Sequence, residues 1–564
     1  MLFFKRGKKM KLKCVSSLEK CFLHENIDDK PELKKGTMLK NELYHFCVCY
    51  QGASVWKEYA NLTIESPIAE YVRVTRIEPV PVQHASYYGD DDYISHEPGL
   101  YPDLMLPLEP NGRLAIPKNL KSLMVEIDTK NEVPAGLYPI TFRFIGIDEN
   151  DHSKPPQITF NESITFEVEI IDACLPKQDL KYTQWFHCDS LKTHYETEAF
   201  DEKHWQIIEN FAKMAKRYGV NMILTPIFTP PLDTYVGGER ETIQLVGVSR
   251  NNGVYSFDFS LLGRWVEMCN RIGFEYFEIA HFFTQWGANC TPKIMATVDG
   301  EYKKIFGWET NAHTGEYEEF LKAFIPELLN YLKGLDGADK RCYFHISDEP
   351  RVQHLETYTK AKNIVAPLLK GYPIIDALSE IEFYSDGVVE KPVPSTDHIE
   401  PFVEADIPDL WCYYCVSQFR EVSNRFIAMP SYRTRIIGTQ FYKYNISGFL
   451  HWGYNFYYNQ FSYAQVNPLL NTDGEYFACA GDTFSVYSGK KGMPLESIRL
   501  LVFYDALQDL SAFKLCEELY GRDFVMNIIE EDIKPITFKV YPRRADYLLN
   551  VREKINKAIK EKIG

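Results

Sequence analysis

The spacing of apolar residues changes near position 175, and this change constrains the fold more than any other feature of the chain. Before it, segments 122–128, 136–146 and 164–172 alternate apolar and polar residues, as strands with one buried face do. After it, short apolar runs alternate with stretches of helical periodicity, which is typical of βα units around a parallel sheet. We therefore expect a multidomain α/β protein whose N-terminal domain is an antiparallel β-sandwich.

The second domain is expected to be a TIM-like (β/α)8 barrel. Apolar runs predict its strands at 183–189, 221–226, 274–281, 341–350, 372–378, 409–414, 448–455 and 482–487. Helical stretches between them are clearest at 205–217, 317–332 and 432–444, and a long one at 495–520 follows the last strand. The predicted boundaries are 1–175 for the sandwich, 176–522 for the barrel and 523–564 for a C-terminal extension. Sites in such barrels lie at the C-terminal ends of the strands.

Charge and composition argue against several partners. The net charge is −16 without a basic stripe, so nucleic acid is not expected. The sequence contains no segment long and apolar enough to span a bilayer, so we expect no membrane partner. Residues 1–9 are basic but precede no apolar run, and the 13 scattered cysteines do not form a secreted disulfide framework. A cytoplasmic location is expected, while the oligomeric state and the choice of Met1 or Met10 as the start stay open.

Aromatic residues make up 14% of the chain, with 37 Tyr and 36 Phe. Most of them must fill the core of so large a protein. Flat rings also stack on the apolar faces of pyranose sugars, and Tyr and Trp can hydrogen-bond at the same time. The composition is therefore compatible with carbohydrate binding.

Two adjacent acids, Asp348 and Glu349, end the predicted fourth strand just before Pro350. This position makes them candidate catalytic residues, and a solvated pair at a strand end is the alternative. Consecutive strand residues point to opposite faces, so both acids can act on one substrate only if the strand bends or ends there. Pro350 favours an ending.

Glycosidases usually place two carboxyl groups on opposite sides of the scissile bond, and a common barrel arrangement puts the nucleophile after the seventh strand. The predicted seventh strand, 448–455, contains no acid. Substrate assistance is the alternative: the 2-acetamido oxygen attacks the anomeric carbon, one acid protonates the leaving oxygen, and the other holds the acetamido N–H. Glu380 or Glu382 as a protein nucleophile and a non-catalytic carbohydrate-binding protein remain competing interpretations.

Four motifs in this order resemble glycoside hydrolase family 123, whose catalytic region is related to the domain-of-unknown-function family 4091. They are His281-Phe-Phe-Thr-Gln-Trp-Gly-Ala288, Asp348-Glu349-Pro350, Trp411-Cys-Tyr413 and Gly448-Phe-Leu-His-Trp-Gly-Tyr-Asn455. The resemblance implies a sandwich followed by a barrel, and removal of terminal β-linked N-acetylgalactosamine from oligosaccharides or glycoconjugates. It also implies that Glu349 is the general acid and then the base, and that Asp348 orients the acetamido group in a retaining reaction. No cofactor is implied.

Further side chains in or just beyond predicted strands are candidate substrate contacts: Trp185, His281, Trp286, Tyr413, Trp452 and Asn455. The Trp rings suit stacking on a sugar, Tyr413 could donate to the acetamido oxygen, and Asn455 could bind a hydroxyl group. Core packing or a turn cap is the alternative for each. Several histidines also lie in strands, but the sequence contains no His-x-His or His-Glu-x-x-His spacing, so we expect no catalytic metal.

Overall fold

The computed structural model describes residues 10–53, 58–148 and 157–563, so the basic segment 1–9 lies outside the described residues. The N-terminal part forms two sheets, as expected. In spatial order, the first contains Met10–Ser16, Leu43–Gly52, Lys121–Asp128, Val72–Val82, Gly99–Pro107, Pro494–Ser497 and Tyr487–Ser488. The second contains Lys35–Lys40, Gln157–Cys174, Gly136–Asp148, Glu58–Glu65 and Arg113–Ile116.

Apolar side chains of both sheets share one buried cluster, which accounts for the alternating pattern of the sequence. The rings of Phe46 and Phe166, one from each sheet, stack with centroids 3.9 Å apart, and Phe142 meets Phe46 edge-on at 6.0 Å. The strands Lys35–Lys40 and Gln157–Cys174 pair in parallel, whereas we expected antiparallel pairing throughout.

A curled parallel sheet follows. Its six strands, in spatial order, are Cys342–Tyr343, Tyr276–Ile279, Met222–Thr225, Lys181–Gln184, Gly448–His451 and Trp411–Tyr413. Two more parallel strands, Ile375–Leu378 and Lys391–Pro394, pair with each other. Single parallel bridges join this pair to the two edges of the larger sheet, at Phe344–Ile374 and at Ser395–Tyr413.

The predicted strand at 482–487 is wrong. Tyr487–Ser488 pairs antiparallel with Pro494–Ser497, which in turn pairs with Gly99–Pro107 of the first N-terminal sheet. The chain instead supplies a parallel strand at Lys391–Pro394, which the sequence analysis missed because proline lacks the N–H that a sheet interior requires. Consequently Gly448–His451, expected as the seventh parallel strand, is the eighth along the chain.

Helices follow each of the parallel strands along the chain. They are Cys188–His194, Glu202–Arg217, Ser260–Ile272, Gly315–Gly334, Leu355–Val365, Glu382–Ser385, Glu400–Glu404, Ser431–Arg435, Ile437–Lys443 and Ile498–Tyr520. The helices predicted at 205–217 and 317–332 are present, and the one predicted at 432–444 is two shorter helices. The chain ends with the helices Arg522–Ile529 and Ala545–Ile563, and the latter packs against the second N-terminal sheet and Ile498–Tyr520.

The loops after the second and third parallel strands are long, and together they build a separate four-stranded sheet. Its strands, in spatial order, are Val254–Asp258, Gly247–Asn251, Ile294–Val298 and Glu301–Phe306. These loops rise from the C-terminal ends of the parallel strands. Within the described ranges, the structure contains no helix that combines the length and the apolar character needed to cross a membrane.

Gly438 tests how closely two of these helices pack. A Cβ atom at this position would lie 2.1 Å from the carbonyl oxygen of Ala506, which is backbone of the helix Ile498–Tyr520 and cannot rotate away. We expect Gly438→Ala to lower the free energy of unfolding by about 1–3 kcal/mol through overpacking. Thermal unfolding followed by circular dichroism measures the change. The control is Gly315→Ala, because a Cβ there would meet nothing within 4 Å; equal midpoints for both variants would contradict the close approach.

Candidate active site

The acids Asp348 and Glu349 follow the fourth parallel strand, which ends early, at Tyr343. Glu349 has a left-handed backbone with φ of 43°, and its N–H donates to the carbonyl oxygen of Ala377 at 3.1 Å. The chain therefore no longer alternates sides at this point. Both carboxyl groups line the same cavity, as the sequence analysis required for a shared substrate.

The cavity has a volume of about 210 Å³ and lies at the C-terminal ends of the parallel strands. Aromatic side chains dominate its wall, and carboxyl groups supply much of its polarity. The lining residues are Trp185, His187, Leu232, Asp233, Gln285, Trp286, Asp348, Glu349, Ala377, Tyr413, Cys415, Val416, Leu450, Trp452, Gln460, Phe461 and Phe477. Such a wall can stack flat apolar faces and hydrogen-bond at a few fixed points.

The phenolic O–H of Tyr413 donates to Glu349 Oε1 at 2.7 Å. Burial raises the pKa of Glu349 above its ordinary value, and this hydrogen bond acts in the opposite direction because it favours the carboxylate. A carboxyl group with a raised pKa keeps its proton to higher pH than a solvent-exposed one and can give it to a bound ligand.

Burial and the nearby charge of Glu349 raise the pKa of Asp348 well above its usual range, while the positive charge of His345 acts against them. Two adjacent carboxyl groups that share a cavity resist ionising together. The pair therefore loses its first proton more readily than its second, because the second ionisation would place two negative charges side by side.

A buried charged cluster lies beneath the pair. His345 Nε2 is 2.7 Å from Glu278 Oε1, and its Nδ1 is 3.2 Å from Asp376 Oδ1. Burial alone would lower the pKa of His345, but hydrogen bonds to the two carboxylates raise it to about 9. The indole N–H of Trp185, on the cavity wall, donates to the same Glu278 oxygen at 2.7 Å. The cluster therefore links the segment that precedes the acid pair to the cavity wall.

Comparison with protein families gives a match to the catalytic domain of glycoside hydrolase 123 over residues 185–516, more than half of the chain. The chain belongs to glycoside hydrolase family 123. Its fold matches that of a family 123 glycoside hydrolase from Clostridium perfringens, with a TM-score of 0.73, 14% identity and 98% coverage of both chains; that structure was described for glycolipid glycan hydrolysis.

Two other solved structures give weaker matches. A putative beta-galactosidase from Bacteroides fragilis has a TM-score of 0.30 at 9% identity, covering 82% of this chain and 58% of the other. A GH2 beta-galacturonidase from Eisenbergiella tayi also reaches 0.30, at 10% identity, covering 83% and 68%. Scores this low carry no argument about fold or function. No curated protein sequence matches the chain.

In this family 123 glycosidase, four of the six predicted substrate contacts line the cavity beside the two acids: Trp185, Trp286, Tyr413 and Trp452. The hydroxyl group of Tyr413 is directed at Glu349 rather than left free for a ligand. The structure does not bring Asn455 and His281 into the cavity lining.

Asn455 holds the backbone of a neighbouring residue. Its Oδ1 accepts from the His187 N–H at 2.9 Å, and its Nδ2 donates to the His187 carbonyl at 3.1 Å. His281 lies below the cavity, where its ring stacks on His345 at 4.2 Å and meets Trp185 edge-on at 5.3 Å. Asn455 therefore fixes the backbone of the lining residue His187, and His281 packs against the lining residue Trp185.

Within the described residues, one group of side chains is close enough together to hold a metal ion. It consists of His281, His345 and Asp376, whose ligand atoms lie within 4.8 Å of one another. Both ring nitrogens of His345 already face carboxylates, those of Glu278 and Asp376. An ion would have to displace these hydrogen bonds, so the donor set fits a protonated histidine better than a metal ligand.

Sequence reasoning missed several lining residues, among them His187, Asp233, Gln285, Phe461 and Phe477. Burial raises the pKa of Asp233 to about 7, against the opposing effect of Arg240. Its Oδ2 is buried without a hydrogen-bond partner among the described residues. Asp233 lies in a loop without periodicity, where the residue type alone points to a functional role.

The raised pKa of His345 predicts how stability depends on pH. The ordinary pKa of 6.5 rises to about 9 in the folded protein, so the stabilisation is complete below pH 6.5 and is lost as pH rises toward 9. We expect the difference in thermal midpoint between the wild type and His345→Gln to shrink over this range. The free energy of unfolding that is lost amounts to about 1.4 kcal/mol per unit of pKa shift.

His204→Gln is the matched control. His204 is buried and its pKa is lowered, mainly by burial, so its contribution changes only as pH falls below 6.5. The gap for this variant should stay constant from pH 6.5 to 9. A constant gap for His345→Gln as well would mean that His345 is neutral in the folded protein.

Proposed function

We propose that this glycosidase removes terminal β-linked N-acetylgalactosamine from oligosaccharides or glycoconjugates, by substrate-assisted catalysis with retention. The observation that carries the proposal is the left-handed turn at Glu349, which directs two adjacent carboxyl groups into one aromatic cavity. The glycolipid glycans named for the Clostridium perfringens relative are a suitable substrate class.

In the proposed reaction, Glu349 protonates the glycosidic oxygen as the acetamido oxygen of the substrate attacks the anomeric carbon. Its raised pKa favours the protonated carboxyl group that this step needs. The Tyr413 hydroxyl fixes the orientation of that carboxyl group. Glu349 then acts as the base for the water that opens the oxazolinium intermediate. This restores the proton to Glu349 and gives the product sugar its original configuration.

Asp348 is proposed to accept a hydrogen bond from the acetamido N–H and to stabilise the positive charge of the intermediate. It needs its negative charge for this role, although burial and Glu349 favour the protonated form. The imidazolium of His345 acts in favour of the anion. A proton held on Glu349 does the same, because it removes the like charge.

A protein nucleophile is the competing mechanism. Glu380 and Glu382, the candidates from the sequence, do not line the cavity, and Glu380 accepts a hydrogen bond from the Val352 N–H. Asp233 does line it, and is therefore the acid that a protein-nucleophile mechanism would use. Its pKa of about 7 leaves it largely protonated below neutral pH, which makes it a poor nucleophile there.

We also propose that the eight parallel strands close into a (β/α)8 barrel. The support is the pair of single bridges, Phe344–Ile374 and Ser395–Tyr413, that join the two-stranded sheet to both edges of the six-stranded sheet. The acid pair would then lie at the C-terminal end of the fourth strand, where barrel enzymes place functional residues.

The first experiment compares 4-nitrophenyl β-glycosides of N-acetylgalactosamine, N-acetylglucosamine and galactose, with nitrophenol release as the readout. We expect release from an acetamido glycoside, and none from the galactoside, because the galactoside lacks the attacking oxygen. Asp348→Asn should lower kcat for every active substrate by about 10²–10³, the size of a lost charge-stabilising contact. Glu349→Gln should lower kcat by about 10²–10⁴ on a disaccharide, but less on the nitrophenyl glycoside, whose leaving group needs little protonation.

Two outcomes decide against this mechanism. Equal cleavage of the galactoside, lost in Asp233→Asn, would favour a protein nucleophile. Binding of the disaccharide without any turnover would favour the carbohydrate-binding interpretation.

Activity that persists with a chelator present would separate this reaction from metal-assisted hydrolysis.

Tyr413 should set the pH at which the general acid loses its proton. Removal of its hydrogen bond in Tyr413→Phe should raise the pKa of Glu349, because that bond favours the carboxylate. The alkaline limb of the kcat/KM profile should move to higher pH. Tyr414→Phe is the control, since the Tyr414 hydroxyl is buried without a partner among the described residues. A shift to lower pH, or equal shifts in both variants, would contradict this assignment.

A further inference from the structure

Two tyrosine rings stack on each other in the solvent beside the cavity. The ring centroids of Tyr235 and Tyr463 are 4.6 Å apart with an interplanar angle of 19°, and the residues are 40% and 63% exposed. They come from different loops, after the second and the last parallel strands. Neither residue lines the cavity itself, so the acid pair does not explain them.

The stacked pair is continuous with the cavity wall through two more rings. Phe461 meets Tyr463 edge-on at 6.1 Å and meets Trp286 edge-on at 6.0 Å. Phe461 and Trp286 both line the cavity, and Trp286 is 39% exposed at its rim. A row of four aromatic side chains therefore leads from the acid pair out to solvent.

Hydrogen bonds between the loops hold this row in place. Ser462 Oγ donates to the carbonyl oxygen of Asp233 at 2.8 Å, and the Asp233 N–H donates to Gln285 Oε1 at 2.7 Å. Gln285 Nε2 in turn donates to the carbonyl oxygen of Thr234 at 3.1 Å. The three loops are thus tied to one another directly below the rings.

The backbone beneath the row is strained. Trp286, Phe461 and Ser462 have φ values of 57°, 58° and 57°, in the left-handed region that residues with side chains seldom adopt. The Trp286 N–H donates to the carbonyl oxygen of Asp348 at 2.9 Å, which fixes its ring relative to the acid pair. Strain of this kind persists where the surroundings over-determine the conformation, and it is concentrated at ligand sites.

We propose that Tyr235 and Tyr463, with Phe461 and Trp286, form a binding site for the leaving group of the substrate, namely the sugar residue on the far side of the cleaved bond. This inference rests on the proposed function. The terminal sugar occupies the enclosed end of the cavity, where Trp185 is only 3% exposed. Glu349 must reach the oxygen between the two sugars, so the rest of the bound glycan extends outward through the open rim of the cavity. There, exposed flat rings match the apolar face of a pyranose.

The test compares two substrates that share the same terminal sugar. The β-glycosyl fluoride of N-acetylgalactosamine has no second sugar, whereas a disaccharide of β-linked N-acetylgalactosamine on galactose has one. Tyr235→Ala and Tyr463→Ala should each raise KM for the disaccharide by about 2- to 10-fold, the size of one aromatic stacking contact. Fluoride release should keep its KM and kcat. Tyr302→Ala is the control, because Tyr302 is 65% exposed on the strand Glu301–Phe306 and lies outside the row.

Unchanged KM for the disaccharide, or equal losses on both substrates, would overturn the proposal. If the wild type cleaves neither substrate, the proposed function fails, and calorimetry with the Glu349→Gln protein tests the binding site by itself. The disaccharide should then bind more tightly than free N-acetylgalactosamine, and the difference should disappear when Tyr235→Ala or Tyr463→Ala is added. Equal affinity for the two sugars would reject the site whatever the fate of the catalytic assignment.

Discussion

The site depends on how the chain leaves the fourth parallel strand. In a regular strand, Asp348 and Glu349 would point to opposite faces, and only one could reach a ligand. The strand instead ends at Tyr343, and Glu349 adopts a left-handed conformation fixed by its hydrogen bond to Ala377 on the neighbouring strand. The fold thus converts two neighbours in sequence into two neighbours in one cavity.

This arrangement requires support from below, because both carboxyl groups lose solvent. The imidazolium of His345 lies between Glu278 and Asp376, so both of its ring nitrogens have a hydrogen-bond partner in this buried cluster. Asp376 also accepts from the Ile346 N–H at 3.0 Å, which ties the cluster to the segment that leads to the acids. Removal of one partner would leave a buried charge without compensation, so the cluster and the geometry of the acid pair depend on each other.

The sequence predicted those parts that follow from periodicity or from residues adjacent along the chain. Alternation located the N-terminal strands, and apolar runs located seven of the parallel strands; Lys391–Pro394 escaped because of its prolines. The acid pair was found because both members are adjacent along the chain. Asp233 and Phe461 reach the cavity from loops that are distant in sequence and show no periodicity. Asn455 bonds to the backbone of His187, a contact that no sequence pattern predicts.

The hydrogen-bonding capacity of the cavity also limits what it can bind. The indole N–H groups of Trp185 and Trp452 are already bonded, to Glu278 and Asp482, and the Tyr413 hydroxyl is bonded to Glu349. The ionisable groups that face the space are mainly carboxyl groups with raised pKa, which exchange between donor and acceptor as the proton moves. A neutral sugar offers hydroxyl groups that both donate and accept, together with an apolar ring face for the aromatic wall, so it matches this cavity in polarity and in shape.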